Sequence, residues 1–187
     1  MTLIDDRAVR DAVHGESNSE AQTLAAAGCA LVAGGIHLAV IPEHLAESWP
    51  MSVFFLVVGL AQLGLAAALR WQLPAFLVAA VIAAHLGVIA LYVASRTVDL
   101  PFVPPHGSGH NIDHLPVAGG VGNGIPVYPG SRIEPVGVLD VTCLIAELVL
   151  VAILAGMLPP RWRALMTSVM LALGVLAIVW RGTGVWS

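Results

Sequence analysis

Five runs of apolar residues alternate along the chain with polar or Gly/Pro-rich segments. A helix needs about 20 apolar residues to cross the hydrocarbon core of a bilayer, which is about 30 Å thick. Each run is close to this length, so the pattern predicts an all-α, polytopic membrane bundle of about five transmembrane helices. The predicted spans are residues 24–41, 51–69, 73–93, 139–157 and 164–180.

The composition excludes several other classes of protein. Hydrophobic residues make up 58% of the chain and charged residues 11%, whereas soluble domains carry about 25% charged residues. The two cysteines are too few for a disulfide-stapled secreted scaffold. The net charge is −4 and all eight basic residues are arginine, so the chain lacks the basic patch that nucleic-acid binding requires.

The arginines predict the orientation of the chain in the membrane. A polar, acidic segment, residues 1–23, precedes a single membrane domain, residues 24–187, and does not resemble the basic start of a signal peptide. Positive residues collect on the cytoplasmic side of membrane proteins, most reliably in short loops. We therefore expect the N-terminus inside and the C-terminus outside. The five arginines on the predicted inner side are Arg7, Arg10, Arg70, Arg161 and Arg163, against Arg96, Arg132 and Arg181 outside.

The long segment 95–138 is predicted to be an extracytoplasmic loop. It is dense in proline and glycine, which excludes a long helix. His106, His110 and His114 recur every four residues within it, with Asp113 beside the last. These side chains are interpreted either as a flexible group that captures a cation outside the membrane or as solvated loop residues.

Polar residues inside the apolar runs are the strongest candidates for function, because ionisable groups in a membrane are energetically costly. His37, Gln62, His85 and Glu147 each lie in a different span. At a rise of about 1.5 Å per residue, they fall roughly 12–17 Å below the outer surface, provided that the first helix continues past Pro42. Four helices then offer one polar group each at a common depth.

A second polar layer is predicted nearer the outer surface. His44, Glu47, Asp140 and Arg96 would form a vestibule above the buried groups. The spacing of Asp140, Cys143 and Glu147 places all three on one helical face, although a membrane cysteine more often serves as a small packing residue. The candidate metal ligands are His37, His85, Glu147, His44, Glu47 and Asp140, supported by Gln62, Arg96 and Cys143.

Imidazole and carboxylate ligands together suit a transition-metal ion such as Cu, Zn or Fe. A b-type haem is less favoured, because a carboxylate beside the iron does not suit an apolar porphyrin site. Two other interpretations remain open: the polar groups hydrogen-bond to hold the helices together, or they conduct protons or a substrate.

Three classes of function follow from these interpretations. The first is a protein that binds a metal ion for storage, sensing or transfer. The second is an accessory subunit of a larger membrane complex of respiratory or oxidase type, associated with other subunits or with copies of itself. The third is a metal-dependent membrane oxidase or monooxygenase subunit. We assign no catalytic residue, because the chain contains no nucleophile–base motif, P-loop or dinucleotide fingerprint.

Residues 37–47 read His-Leu-Ala-Val-Ile-Pro-Glu-His-Leu-Ala-Glu. Together with matching positions up to about residue 150, this segment resembles a group of bacterial, actinobacterial-type multi-spanning membrane proteins. The resemblance implies a bacterial cytoplasmic membrane and a recurring pattern of polar residues, but no activity. The other matching positions are Phe54, Phe55, Gln62, Ser95, Arg96, Thr97, residues 100–102 and 135–137, Asp140 and Glu147.

Overall fold

The protein is represented by a computed structural model, which describes residues 6–95 and 136–182. All six regular elements in this part of the chain are α-helices, which confirms the predicted all-α class. Helix α2 is short, and the others are long enough to cross much or all of a bilayer. The helices are α1 (Asp6–Ala39), α2 (Ile41–Glu47), α3 (Trp49–Ala68), α4 (Ala75–Ser95), α5 (Val138–Met157) and α6 (Pro160–Gly182).

Four helices have the length and apolar composition of membrane spans: Ser19–Ala39 within α1, and the whole of α3, α4 and α5. These four confirm a helical membrane bundle. The fifth predicted span, 164–180, falls within α6 and stays a prediction. Most of the predicted loop 95–138, including all three of its histidines, lies outside the described residues.

Proline and serine set the turn between α1 and α3. Helix α1 ends at Ala39, and α2 begins one residue later with Pro42 in its first turn, where the missing N–H of proline removes no helical hydrogen bond. Ser48 then adopts an extended conformation, with φ −158° and ψ 107°. Helices α1 and α3 therefore run antiparallel, with α2 covering one end of the bundle.

Small residues bring α1 close to α3 and α5. Ala26, Ala30 and Ala33 are completely buried on one face of α1. A Cβ atom built on Gly34 would lie 3.0 Å from the carbonyl oxygen of Gly59 on α3. The backbones of α1 and α3 thus touch where both residues are glycine, as is common between membrane helices.

The apolar core joins the four candidate spans. Leu150 and Leu154 of α5 are completely buried at its centre. They pack with small and aliphatic residues of α1, α3 and α4. The remaining buried members of this cluster are Ala26, Ala30, Leu65, Leu69, Val78, Ile82 and Leu158.

Candidate metal centre

Helices α1 and α5 together position a group of three ligand-type side chains. Cys143 and Glu147 are four residues apart on α5, so both project from the same face. His37 follows Ala33 by one turn on the buried face of α1. Ala33, Cys143 and Ala146 form a small cluster between the two helices. The small alanines let the helices approach closely, so that His37 reaches the α5 side chains.

The three side chains meet within a short distance of one another. His37 Nε2 lies 3.1 Å from Glu147 Oε1 and 3.6 Å from Cys143 Sγ. One ligand atom from each residue lies within 4.8 Å of the other two, and all three residues are buried. In the described part of the chain, this is the one group of three or more His, Cys, Asp or Glu residues with this geometry.

Gln62 holds the carboxylate from a third helix. Its side-chain N–H donates to Glu147 Oε1 at 2.8 Å. A carboxylate oxygen accepts hydrogen bonds, so the His37 Nε2–H is the donor in the second contact to Oε1. Both hydrogen bonds therefore fall on Oε1, which leaves Oε2 for an ion or another ligand. In metalloproteins, hydrogen bonds from residues that do not bind the ion orient the side chains that do.

A cavity of about 330 Å³ adjoins the three ligands. It lies at the end of the bundle that α2 covers, between α1, α2, α3, α4 and α5. His44 and Asp140 line it together with His37, Cys143 and Glu147. Asp140 also accepts a hydrogen bond of 2.7 Å from the backbone N–H of Gly137, so it caps the start of α5 as well.

Phe55 lies between the two cavity histidines. Its ring stacks on His44, with ring centroids 4.5 Å apart, and on His37, with centroids 5.6 Å apart. Phe55 is on the α3 face that also carries Gln62 two turns later. The aromatic stack thus fixes the positions of both imidazole rings relative to α3.

His85 is buried but stands apart from the three ligands. Its Nδ1–H donates to the carbonyl oxygen of Val81, at 2.9 Å, within α4. This contact fixes the ring, and Nε2 has no hydrogen-bond partner in the described structure. The structure does not bring His85 into the His37, Cys143 and Glu147 group.

The structure brings together some of the predicted site residues and leaves others outside. His37, Gln62 and Glu147 meet as expected, and His44 and Asp140 line the adjoining cavity. The side chain of Glu47, and all of Arg96, His106, His110, Asp113 and His114, lie outside the described residues.

Cys143 is closer to the centre of the site than the sequence analysis placed it. The sequence interpretation gave it a supporting role, whereas the structure puts its sulfur among the three ligand atoms. Its spacing of four residues from Glu147 already placed both side chains on one helical face, but did not show that His37 meets them. The apolar cavity beside the site was not predicted, because its walls come from four different helices and the α2 turn.

Comparison of the chain with protein-family models, with curated proteins and with solved structures finds no match. No activity can therefore be transferred from a relative. The geometry of the site and the chemistry of its residues indicate what the protein can do.

Proposed function

We propose that this membrane protein binds a transition-metal ion, zinc by preference, through His37, Cys143 and Glu147. The observation that carries the proposal is the convergence of three buried ligand atoms within 4.8 Å of one another. Ionisable groups inside a membrane helix are rare and usually have a function. Three of them at one point, on two helices, support a binding site more strongly than any one of them alone.

The donor set favours a transition-metal ion such as zinc over calcium or magnesium. Zinc is bound in proteins by cysteine sulfur, histidine nitrogen and carboxylate oxygen, and it accepts all three in one site. Calcium and magnesium prefer oxygen ligands alone. A thiolate and a carboxylate also carry two negative charges between them, which balance a divalent cation. The loaded site would therefore be neutral, which lowers the cost of burying charge in an apolar surrounding.

Three protein ligands leave one position of a tetrahedral ion open. Structural zinc sites normally have four protein ligands, whereas sites that exchange or activate a fourth ligand have three. The cavity adjoins the ligands on the side where His44 and Asp140 lie. An open position facing this cavity suits storage, sensing or transfer of the ion better than a purely structural role.

The distribution of arginines supports an extracytoplasmic opening of the site. Arg70, in the link between α3 and α4, lies at the end of the bundle opposite α2. By the positive-inside rule, this end faces the cytoplasm. The cavity then lies in the outer half of a bacterial cytoplasmic membrane, so the ion would be taken from, or given to, the outer side.

A second candidate function is favoured by the hydrogen bonds around Glu147. Gln62 and His37 both contact Oε1 and connect α3, α5 and α1 without an ion. Such polar contacts are a common means of holding membrane helices together. On this alternative the protein is an accessory subunit, and its polar site stabilises the bundle that binds a partner.

Zinc titration of the purified protein distinguishes these two functions. The full-length chain, extracted in mild detergent without a His-tag and stripped with chelator, is titrated with zinc against a chromophoric competitor. We expect one ion per chain. Gln62→Met should weaken binding about tenfold, because the loss of an outer partner of a ligand costs about 10- to 100-fold in metal affinity.

His85→Leu is the matched control for the titration. His85 is buried in α4 and lies outside the three-residue group, so its replacement should leave the zinc affinity unchanged. Thermal unfolding of each variant checks that the bundle is intact. Absence of saturable zinc binding by the folded wild-type protein would contradict the proposal and favour the accessory-subunit function.

A further inference from the structure

The cavity is much larger than a metal ion requires. Its volume is about 330 Å³, whereas an engineered protein cavity of about 150 Å³ already binds benzene. Binding sites for small organic molecules start at about 300 Å³. The cavity can therefore hold a substituted single ring beside the three ligand residues.

The walls of the cavity are mainly apolar and aromatic. Phe54 and Phe55 lie edge to face, with ring centroids 5.5 Å apart, and His44 stacks on Phe55. Val88 and Leu91 of α4 also line the cavity. Apolar and aromatic walls of this kind favour a ligand with a flat apolar body. Aromatic rings pack well on such a surface, either stacked or edge to face.

Two of the polar groups on the cavity surface are carboxylates, which accept hydrogen bonds. Glu147 and Asp140 both line the cavity, and Oε2 of Glu147 takes neither of the two hydrogen bonds to that carboxylate. A carboxylate acceptor at Glu147 favours a ligand with a hydroxyl donor.

We infer that the cavity binds a small lipophilic phenol or quinol, with its ring between the aromatic walls and a hydroxyl donated to Glu147. Such molecules dissolve in the apolar phase and reach a cavity between membrane helices. The inference goes beyond the proposed metal site and does not depend on it, because the walls and the Glu147 carboxylate are present without an ion.

Binding of tetramethyl-1,4-benzoquinol to the metal-free, full-length protein in detergent tests this inference. Anaerobic titration calorimetry should give saturable binding of one quinol per chain. Tetramethylbenzene has the same apolar body without the hydroxyl groups. We expect it to bind about tenfold more weakly, because it cannot make the hydrogen bond to the Glu147 carboxylate. Equal binding of the two compounds would overturn the assignment of a hydroxyl ligand.

Two phenylalanine variants locate the binding. Val88→Phe places a larger side chain in the cavity. It should weaken quinol binding at least about tenfold, because the quinol and the new ring cannot both fit without costly overpacking. Leu148→Phe is the matched control, since Leu148 is 47% exposed on the outer surface of α5, and it should bind as the wild type does. No saturable binding, or unchanged binding in the folded Val88→Phe variant, would refute the inference. Because the protein is metal-free, these outcomes are independent of the zinc titration.

Discussion

Cys143→Ala is expected to lower the zinc affinity of the protein by more than about 100-fold. This exceeds the loss of about 10- to 100-fold that follows removal of a residue that only hydrogen-bonds to a ligand. The reason is that the substitution removes one of three direct ligands and one of the two negative charges that balance the ion. The remaining His37 and Glu147 provide only two ligands. Competition with a chromophoric chelator, on detergent-solubilised protein, measures the change.

Cys29 provides the matched control for this prediction. It lies in α1, packs against the apolar core and is outside the group of three ligands. Cys29→Ala should therefore retain the wild-type zinc affinity, and both variants should unfold near the wild-type temperature. Equal zinc affinities of the Cys143→Ala variant and the wild type would exclude the sulfur as a ligand.

Gly34→Val is expected to destabilise the bundle by about 1–3 kcal/mol, the usual cost of overpacking a well-packed interior. A Cβ atom at this position would lie 3.0 Å from the backbone oxygen of Gly59 and 3.2 Å from the Cβ atom of Gln62. The backbone of α3 must move to make room, and Gln62 moves with it. We therefore expect a lower unfolding temperature and a weaker zinc site in the same variant.

Gly35→Val separates this packing effect from helix propensity. Gly35 is the next residue in the same helix, and a Cβ atom there would meet nothing within 4 Å. Both variants introduce the same β-branched residue, so only the contact with α3 differs. Thermal unfolding in detergent should show a clear loss of stability for Gly34→Val and little change for Gly35→Val. Similar losses in the two variants would contradict the close approach of α1 and α3.

The helical class and the positions of four spans could be predicted from the sequence, because apolar runs of membrane-crossing length have few alternative structures. Their ends were less predictable. Pro42 allowed either a continued first helix or a break, and the structure has the short helix α2 after a one-residue turn. The apolar run alone did not show this, since Pro is compatible with the first turn of a new helix.

The site was predictable in part. His37, Gln62 and Glu147 were identified as buried polar residues because charge and polarity in an apolar run are visible in the sequence. Which of them meet depends on how each helix is rotated about its axis, and apolar runs without clear periodicity do not specify this rotation. For that reason His85 was grouped with them although its Nδ1 contacts its own helix, and Cys143 was placed in a supporting role.

X-ray absorption at the zinc edge of the zinc-loaded protein tests the central claim most directly, because it reports which atoms bind the ion. The account predicts one sulfur neighbour at about 2.3 Å and nitrogen or oxygen neighbours at about 2.0–2.2 Å. The sulfur contribution should disappear in Cys143→Ala and persist in Cys29→Ala. A wild-type spectrum with only nitrogen and oxygen neighbours would contradict a site built from His37, Cys143 and Glu147.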